Sequence, residues 1–323
     1  MKYMVGYQIM LDDNFIDQII QYKEHIYEVY FAWGDIANGR NNQLIMDGLM
    51  PHQAQNKQIA DLKKLSNNGI KFNLLLNGNC YGRDSQSRAF FTKIGNVTDY
   101  IVNEFGLDSI TTTSPLIAKF IKNNFRDLEV RASVNMKIGT VEGMDYISGY
   151  FDGYYMQREF NRDFDRIMEL KSWCDIHNKK LYILANSGCL NNCSAQTFHD
   201  NLVAHETEIA AMDNAYEFRG MCNEYLSNPD HYKALIENTN FIRPEDMYLY
   251  DDYFVAAKLA TRVSKHPANI LRSYIKGRYS GNILDILEPA HSIYPYVLEN
   301  GDPLKIVKIN EDIAVYNCDE DHQ

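Results

Sequence analysis

Apolar residues along the chain gather in short runs, and segments of helical period separate them in regular alternation. Tyr3–Tyr7, Ile26–Phe31 (IYEVYF), Phe72–Leu76 (FNLLL), Ser109–Thr113, Leu128–Val134, Gly153–Met156 and Leu181–Ala185 (LYILA) read as seven strands. Helical patterns fall between them at Asp13–Lys23, Gln53–Asn67, Asp84–Phe105, Pro115–Asn124, Gly139–Gly149 and Phe164–His177. A long insertion follows the seventh strand. Met247–Tyr250 then reads as a weaker eighth strand and Phe254–Ser264 as the eighth helix. Beyond Pro267 the pattern gives helices at Ile270–Lys276 and Ile283–Leu287, a strand-like Lys305–Tyr316, and a fraying end from Asp319 to Gln323.

Strict alternation of this kind implies a parallel sheet with helical crossovers, its strands covered on both faces. Eight units fit a closed (β/α)8 TIM-type barrel over residues 1–266, with the cysteine-bearing insertion after strand 7. Residues 267–323 are then a C-terminal helical and strand extension packed on the barrel. The competing open, doubly wound sheet calls for a glycine-rich phosphate turn after the first strand. Neither GxGxxG nor GxxxxGK occurs there.

Composition narrows the function. A net charge of −11 over 323 residues disfavours sequence-independent phosphate binding, so nucleic acid is the less expected partner. A small-molecule or peptide-like substrate is preferred, and a partner subunit stays open. No apolar run approaches a membrane span, and MKYMVGYQIM is too short and polar for a secretory core, so the cytoplasm is the expected location. Six cysteines make no disulfide framework for a chain of this length; in a reducing compartment they are buried, catalytic or metal-bound. Tyrosine is abundant, 23 residues against 2 Trp, which suits rings that pack while their hydroxyls reach a partner.

Barrel chemistry sits at the C-terminal ends of the strands. Polar residues converge there: Trp33–Arg40 (WGDIANGR) after strand 2, Asn77, Asn79 and Cys80 after strand 3, and Asn135 after strand 5. Arg158 follows strand 6, Cys189 and Cys193 follow strand 7, and Asp251 with Asp252 follows strand 8. Cys189 and Cys193 form Cys-x3-Cys, Cys222 follows in FRGMCNEY, and Cys80 ends a different strand on the same barrel face. Thiolates are soft ligands suited to iron–sulfur clusters or zinc; buried small hydrophobes are the plainer alternative. Cys174, on a helix, reads as core, and Cys318 as a residue without a role. Asn77, Asn79, Arg131, Asn135, Arg158, His199 and Asp251 are the candidate substrate-binding side chains. An internal salt bridge competes for Arg131 and Arg158, and helix capping for Asp251. His199 and His205 lie six apart and share no helix face, which disfavours a two-histidine metal site. Neither a GxSxG elbow nor HExxH occurs, so serine-triad and zincin chemistry find no support.

These segments carry a resemblance. LYILANSGCLNNCSAQ resembles the cysteine-bearing signature region of peptidase family U32, and RGMC its downstream cysteine. YFAWGDIANGR is similar to the family's second strand and loop, and FIRPEDMYLYDDYFVAAKLATR with ILRSYIKGRYSGNILDIL to its last barrel unit, so the likeness runs over residues 1–290. The family's name implies a collagenase-like peptidase. Several of its members instead look like oxygen-independent hydroxylases carrying a 4Fe-4S cluster, acting on RNA or the ubiquinone ring. The resemblance implies that Cys189, Cys193 and Cys222 are cluster ligands. The second cysteine that family members often place after Cys222 is missing here, so Cys80 is assigned as the fourth ligand on its position at a strand end. Three readings follow: an iron–sulfur redox enzyme of the hydroxylase type, a peptidase, and a non-catalytic partner subunit with a structural cluster or zinc.

Overall fold

A computed structural model describes residues 1–10, 14–40, 49–213, 216 and 218–309. Eight parallel strands close on themselves in sequence order, so the chain is a (β/α)8 barrel. The strands are β1 Tyr3–Gly6, β2 Ile26–Phe31, β3 Phe72–Leu76, β4 Ser109–Thr112, β5 Glu129–Ala132, β6 Gly153–Tyr155, β7 Lys180–Leu184 and β8 Ala257–Leu259. The helices that cover the barrel early in the chain are α1 Phe15–Gln21, α2 Pro51–Asn67, α3 Arg88–Phe105, α4 Pro115–Asn124, α5 Val141–Asp145 and α6 Phe164–Ile176. The insertion after β7 folds as α7 Gln196–Ala204, α8 Glu206–Ala210, α9 Met221–Tyr225 and α10 Ala234–Glu237. None of the described helices is long and apolar enough to cross a membrane.

Local chemistry starts these helices, α4 and α6 at the expected residues and α3 four residues later than expected. The Ser87 and Ser114 hydroxyls accept from the N–H groups of Phe90 and Ile117 at the heads of α3 and α4. Pro115 at the first position of α4 gives up no hydrogen bond there. The Asp163 carboxylate accepts from the Arg166 N–H at the head of α6.

The eighth unit corrects the sequence reading. Pro244–Tyr250, which contains the expected strand, is a 3-10 helix, and β8 lies inside the segment expected to be helical. Aromatic MYLY looks strand-like and alanine-rich VAAKLA looks helical, but propensity yields to position. Ala257–Leu259 fills the gap between β1 and β7 and closes the ring of hydrogen bonds. Helix α11, Pro267–Lys276, then follows β8 and lies against α1. It buries Ile270, Leu271 and Tyr274, at roughly 1.5–3 kcal/mol per side chain. The Tyr274 hydroxyl donates to the Ile242 carbonyl at 2.7 Å, while Tyr3 on β1 donates to the Tyr274 carbonyl at 2.9 Å. A short antiparallel pair, β9 Tyr296–Glu299 and β10 Lys305–Lys308, completes the described chain. The expected strand end beyond Ile309, the fraying end and Cys318 lie outside the described residues.

Each strand presents one row of side chains to the helices and one to the barrel interior. The outer row is aliphatic and aromatic: Val29, Phe31, Leu74, Leu76, Ile110, Val130, Leu181 and Ile183 join one large core. The inner row is unlike it. Met4, Tyr30, Leu75, Tyr155, Tyr182 and Ala256 form a separate small cluster, and polar groups lie below it. Part of the tyrosine excess is spent here, since hydroxyls inside a barrel need partners. Tyr30 donates to the Leu259 carbonyl at 2.6 Å and Tyr182 to Glu129 Oε1 at 2.6 Å.

Candidate functional site

The barrel has a sealed lower interior and an open mouth. In the lower interior Arg131 Nη1 lies 2.5 Å from Glu28 Oε1 and its Nε 2.7 Å from Glu129 Oε1. The guanidinium also stacks over Tyr182, 4.4 Å from the ring centroid. Ser109 donates to Glu28, and Lys180, at the start of β7, binds Glu129. Every group has a partner and the arginine is 1% exposed, so Arg131 sits in the barrel as an internal ion pair, away from the mouth. Asp251 is also at the bottom, where it pairs with the Met1 amino group at 2.9 Å; its expected place at the mouth went with the misplaced eighth strand.

At the opposite end lies a cavity of about 2020 Å³. Its walls include Asn135, Arg158 and His199, together with Cys189, Cys193 and Cys222. Arg40, Asp200, Glu206 and Glu288 line it as well, and sequence reasoning did not single them out. Arg40 closes the segment WGDIANGR, which did mark that loop. Glu288 carries no local signal, because it reaches the mouth from beyond α11. There its carboxylate pairs with the Arg40 guanidinium.

The cysteine loop is fixed from that same segment. Gly188 donates its N–H to the Glu288 carbonyl at 2.8 Å, and its own carbonyl lies 3.0 Å from His291 Nε2. Burial lowers the His291 imidazole from its ordinary value, and its Nε2–H donates to that carbonyl. A side chain at Gly188 would run into the Pro289 carbonyl, so only glycine lets the two loops touch. Asn186 pins the end of β7. Its amide donates to the carbonyls of Ala260 and Ile286 and its oxygen accepts from the Ala260 N–H.

Of the three expected asparagines, Asn135 lines the cavity, whereas Asn77 and Asn79 do not. Asn77 is buried and accepts from the Gly39 N–H at 3.1 Å. A Cβ on Gly39 would lie only 3.0 Å from the Asn135 amide and 3.2 Å from that of Asn77, so both side chains close on this backbone. Asn79 reaches toward Asp200 at 3.5 Å, and its Oδ1 is buried without a hydrogen-bond partner. Burial raises the Asp200 carboxyl and lowers the His199 imidazole from their ordinary values; Arg158 and Arg40 oppose the first shift and reinforce the second.

Cys222 senses both other cavity thiols. Burial raises its thiol, and Cys189 and then Cys193 raise it further. Cys189 also lies within electrostatic reach of Arg40. Cys80 does not line the cavity; its sulfur accepts the Gly82 N–H at 3.4 Å. Cys174 is buried against Met144, as a core residue should be, and burial pushes its thiol up to about 12. Among the described residues, no three His, Cys, Asp or Glu side chains stand close enough to hold one metal ion. That arrangement lends nothing to a tetrahedral zinc, whose sulfurs all lie about 2.3 Å from a single ion.

The chain is a (β/α)8 barrel with polar and thiol groups around the cavity at its mouth. No family model matches the chain, and no curated protein matches it. Among solved structures it is similar to the U32 peptidase Mk0906, with a TM-score of 0.55 and 12% identity over 80% of this chain and 91% of the other. It is also similar to a glycoside hydrolase family 5 mannosidase from Rhizomucor miehei, with a TM-score of 0.40 and 11% identity over 76% of this chain and 74% of the other. A GH113 β-1,4-mannanase gives a TM-score of 0.39 and 10% identity over 80% of this chain and 86% of the other. At 12% identity the likeness to Mk0906 shows the barrel fold alone.

Proposed function

We propose that the chain is a remote relative of the U32 proteins and works as a redox enzyme, with an iron–sulfur cluster held by Cys189, Cys193 and Cys222 at the barrel mouth. The observation that carries this reading is that three thiols from two separate segments of the insertion line one cavity. Thiolates are soft ligands of the kind that hold iron–sulfur clusters. Cys189, Cys193 and Cys222 would hold such a cluster, and a site with three protein ligands would leave an iron free for substrate. When bound, the cluster supplies electron transfer, and the protein supplies position and charge.

The remaining mouth residues suit a small polar or anionic substrate. Arg158 offers a guanidinium for a carboxylate, Asn135 an amide, and Arg40 is already neutralised by Glu288. His199 and Asp200 stand side by side, with burial disfavouring charge on each, which suits a pair that passes a proton to or from a bound substrate. The test is anaerobic reconstitution with iron and sulfide. The expected product is brown and binds about four irons per chain. Colourless, iron-free protein overturns the reading.

A further inference from the structure

One wall of the cavity has a sign opposite to that of the chain. The protein carries a net charge of −11, yet the segment after β8 brings Lys265, Arg272, Lys276 and Arg278 to the cavity. All four are exposed, and none holds an ion pair or a side-chain hydrogen bond among the described residues. Arg40, Arg131 and Arg243 elsewhere are each paired with a carboxylate. Arg272 and Lys276 lie four apart on α11, so they share one helix face, where like charges repel. Lys276 suits the C-terminal end of the helix dipole; Lys265 and Arg272 have no such reason to be there. Two carboxylates of the same segment line the cavity. Glu288 is paired with Arg40, and Asp285 accepts from Asn282 Nδ2 at 2.9 Å. The wall is left positive. Gln8, just past β1, and Gln18, on α1 beside α11, line the cavity too. Each keeps a buried side-chain oxygen without a hydrogen-bond partner among the described residues, and such an oxygen calls for an N–H or O–H.

We propose that this wall binds the phosphate of a small polyhydroxylated substrate, a sugar phosphate, whose hydroxyls donate to Gln8 and Gln18. A carboxylate would bring a single charge to the four cations. A phosphate brings about two and accepts from several donors at once. The loops after the last strands and the helix beyond them form a frequent phosphate site in (β/α)8 enzymes. The cavity, about 2020 Å³, exceeds the roughly 300–1,000 Å³ of an ordinary small-molecule site, so a phosphate end fits beside a reacting end at the thiols. The acidic balance of the whole chain works against a long polyanion and leaves a short one unhindered. As the substrate class of the proposed redox enzyme the inference rests on that reading, but the binding is tested on iron-free protein and can fail separately.

The experiment titrates the whole, iron-free chain with ribose 5-phosphate and fructose 1,6-bisphosphate by calorimetry at low salt, with ribose, fructose and inorganic pyrophosphate alongside. A sugar phosphate should bind saturably and lose affinity as salt is added, while its parent sugar does not bind. Arg272→Gln combined with Lys276→Gln should weaken binding on the order of 10²-fold, tenfold for each cation. Lys119→Gln, which removes an equally exposed cation from α4, should leave the affinity within about twofold of its original value. Gln8→Ala should weaken the sugar phosphate several-fold and leave pyrophosphate as it was. Circular dichroism confirms that the variants fold. Absence of saturable binding of both sugar phosphates up to about 10 mM overturns the proposal, as does equal affinity for the parent sugars. Undiminished binding in the double variant, or an equal loss in Lys119→Gln, overturns it as well. An RNA oligonucleotide that binds more tightly, and the more so with length, would make the wall a nucleic-acid interface and overturn it too. A colourless reconstitution, by contrast, sinks the redox reading and leaves the binding site standing.

Discussion

The two ends of the barrel use the same residue types to opposite effect. Below, Arg131 is buried, held by two carboxylates and stacked on a tyrosine, with no group left over. Above, Arg158, His199, Asp200 and three thiols line open space, and Asn79 keeps a buried oxygen without a partner. A satisfied buried network fixes structure, whereas groups without partners facing a cavity are available to a ligand. Substitutions should therefore cost stability at the bottom and function at the mouth.

The largest expected effect is Glu28→Ala. It leaves the buried Arg131 short of its closest partner, and chemical denaturation should show a loss of roughly 3–5 kcal/mol. A loss near zero would mean that the lower network relaxes freely, and the contrast with the mouth would fail.

Acid should weaken the same network by way of Glu129. Burial alone would raise its carboxyl, but Arg131, with hydrogen bonds from Lys180 and Tyr182, overrides this and holds it down at about 2. Its folded value lies below its unfolded one, so its contribution is complete above the unfolded value and is lost as pH falls toward the folded value. The contribution amounts to roughly 3 kcal/mol, and Glu129→Gln should flatten the stability profile between about pH 5 and pH 2. An equally steep profile in the variant would remove Glu129 from the account.

Lys258 on β8 lies between the two regions, 4.2 Å from the centroid of Tyr30. Burial, reinforced by Arg262, pushes its amine down to about 7. Here the folded state disfavours the charge. The penalty is full below the folded value and vanishes as pH rises through the unfolded value. Lys258→Met should therefore stabilise the protein below pH 7, the gain shrinking to nothing by about pH 10. A gain that does not vary with pH would point to packing instead. The smallest stability change belongs to Arg158→Ala, within about 0.5 kcal/mol by denaturation, although it removes a charged wall of the cavity.

Most of the barrel was legible because its outer strand rows and helices carry the apolar period. Strands β2 and β3 and helix α4 fall where the pattern places them. The eighth strand was not, because three residues between two neighbours need no strand propensity of their own. At the site, Cys189, Cys193, Cys222, Asn135, Arg158 and His199 share the cavity, since strand ends and the insertion after β7 all open on one face. Arg131 could not be sorted from sequence, because only the opposing strands reveal Glu28 and Glu129 beside it.

The most direct test compares iron bound per chain after anaerobic reconstitution in Cys193→Ser and Cys80→Ser. The account predicts that Cys193→Ser loses the iron and its colour while Cys80→Ser keeps both. Full iron in Cys193→Ser, or equal loss in the two variants, would contradict it.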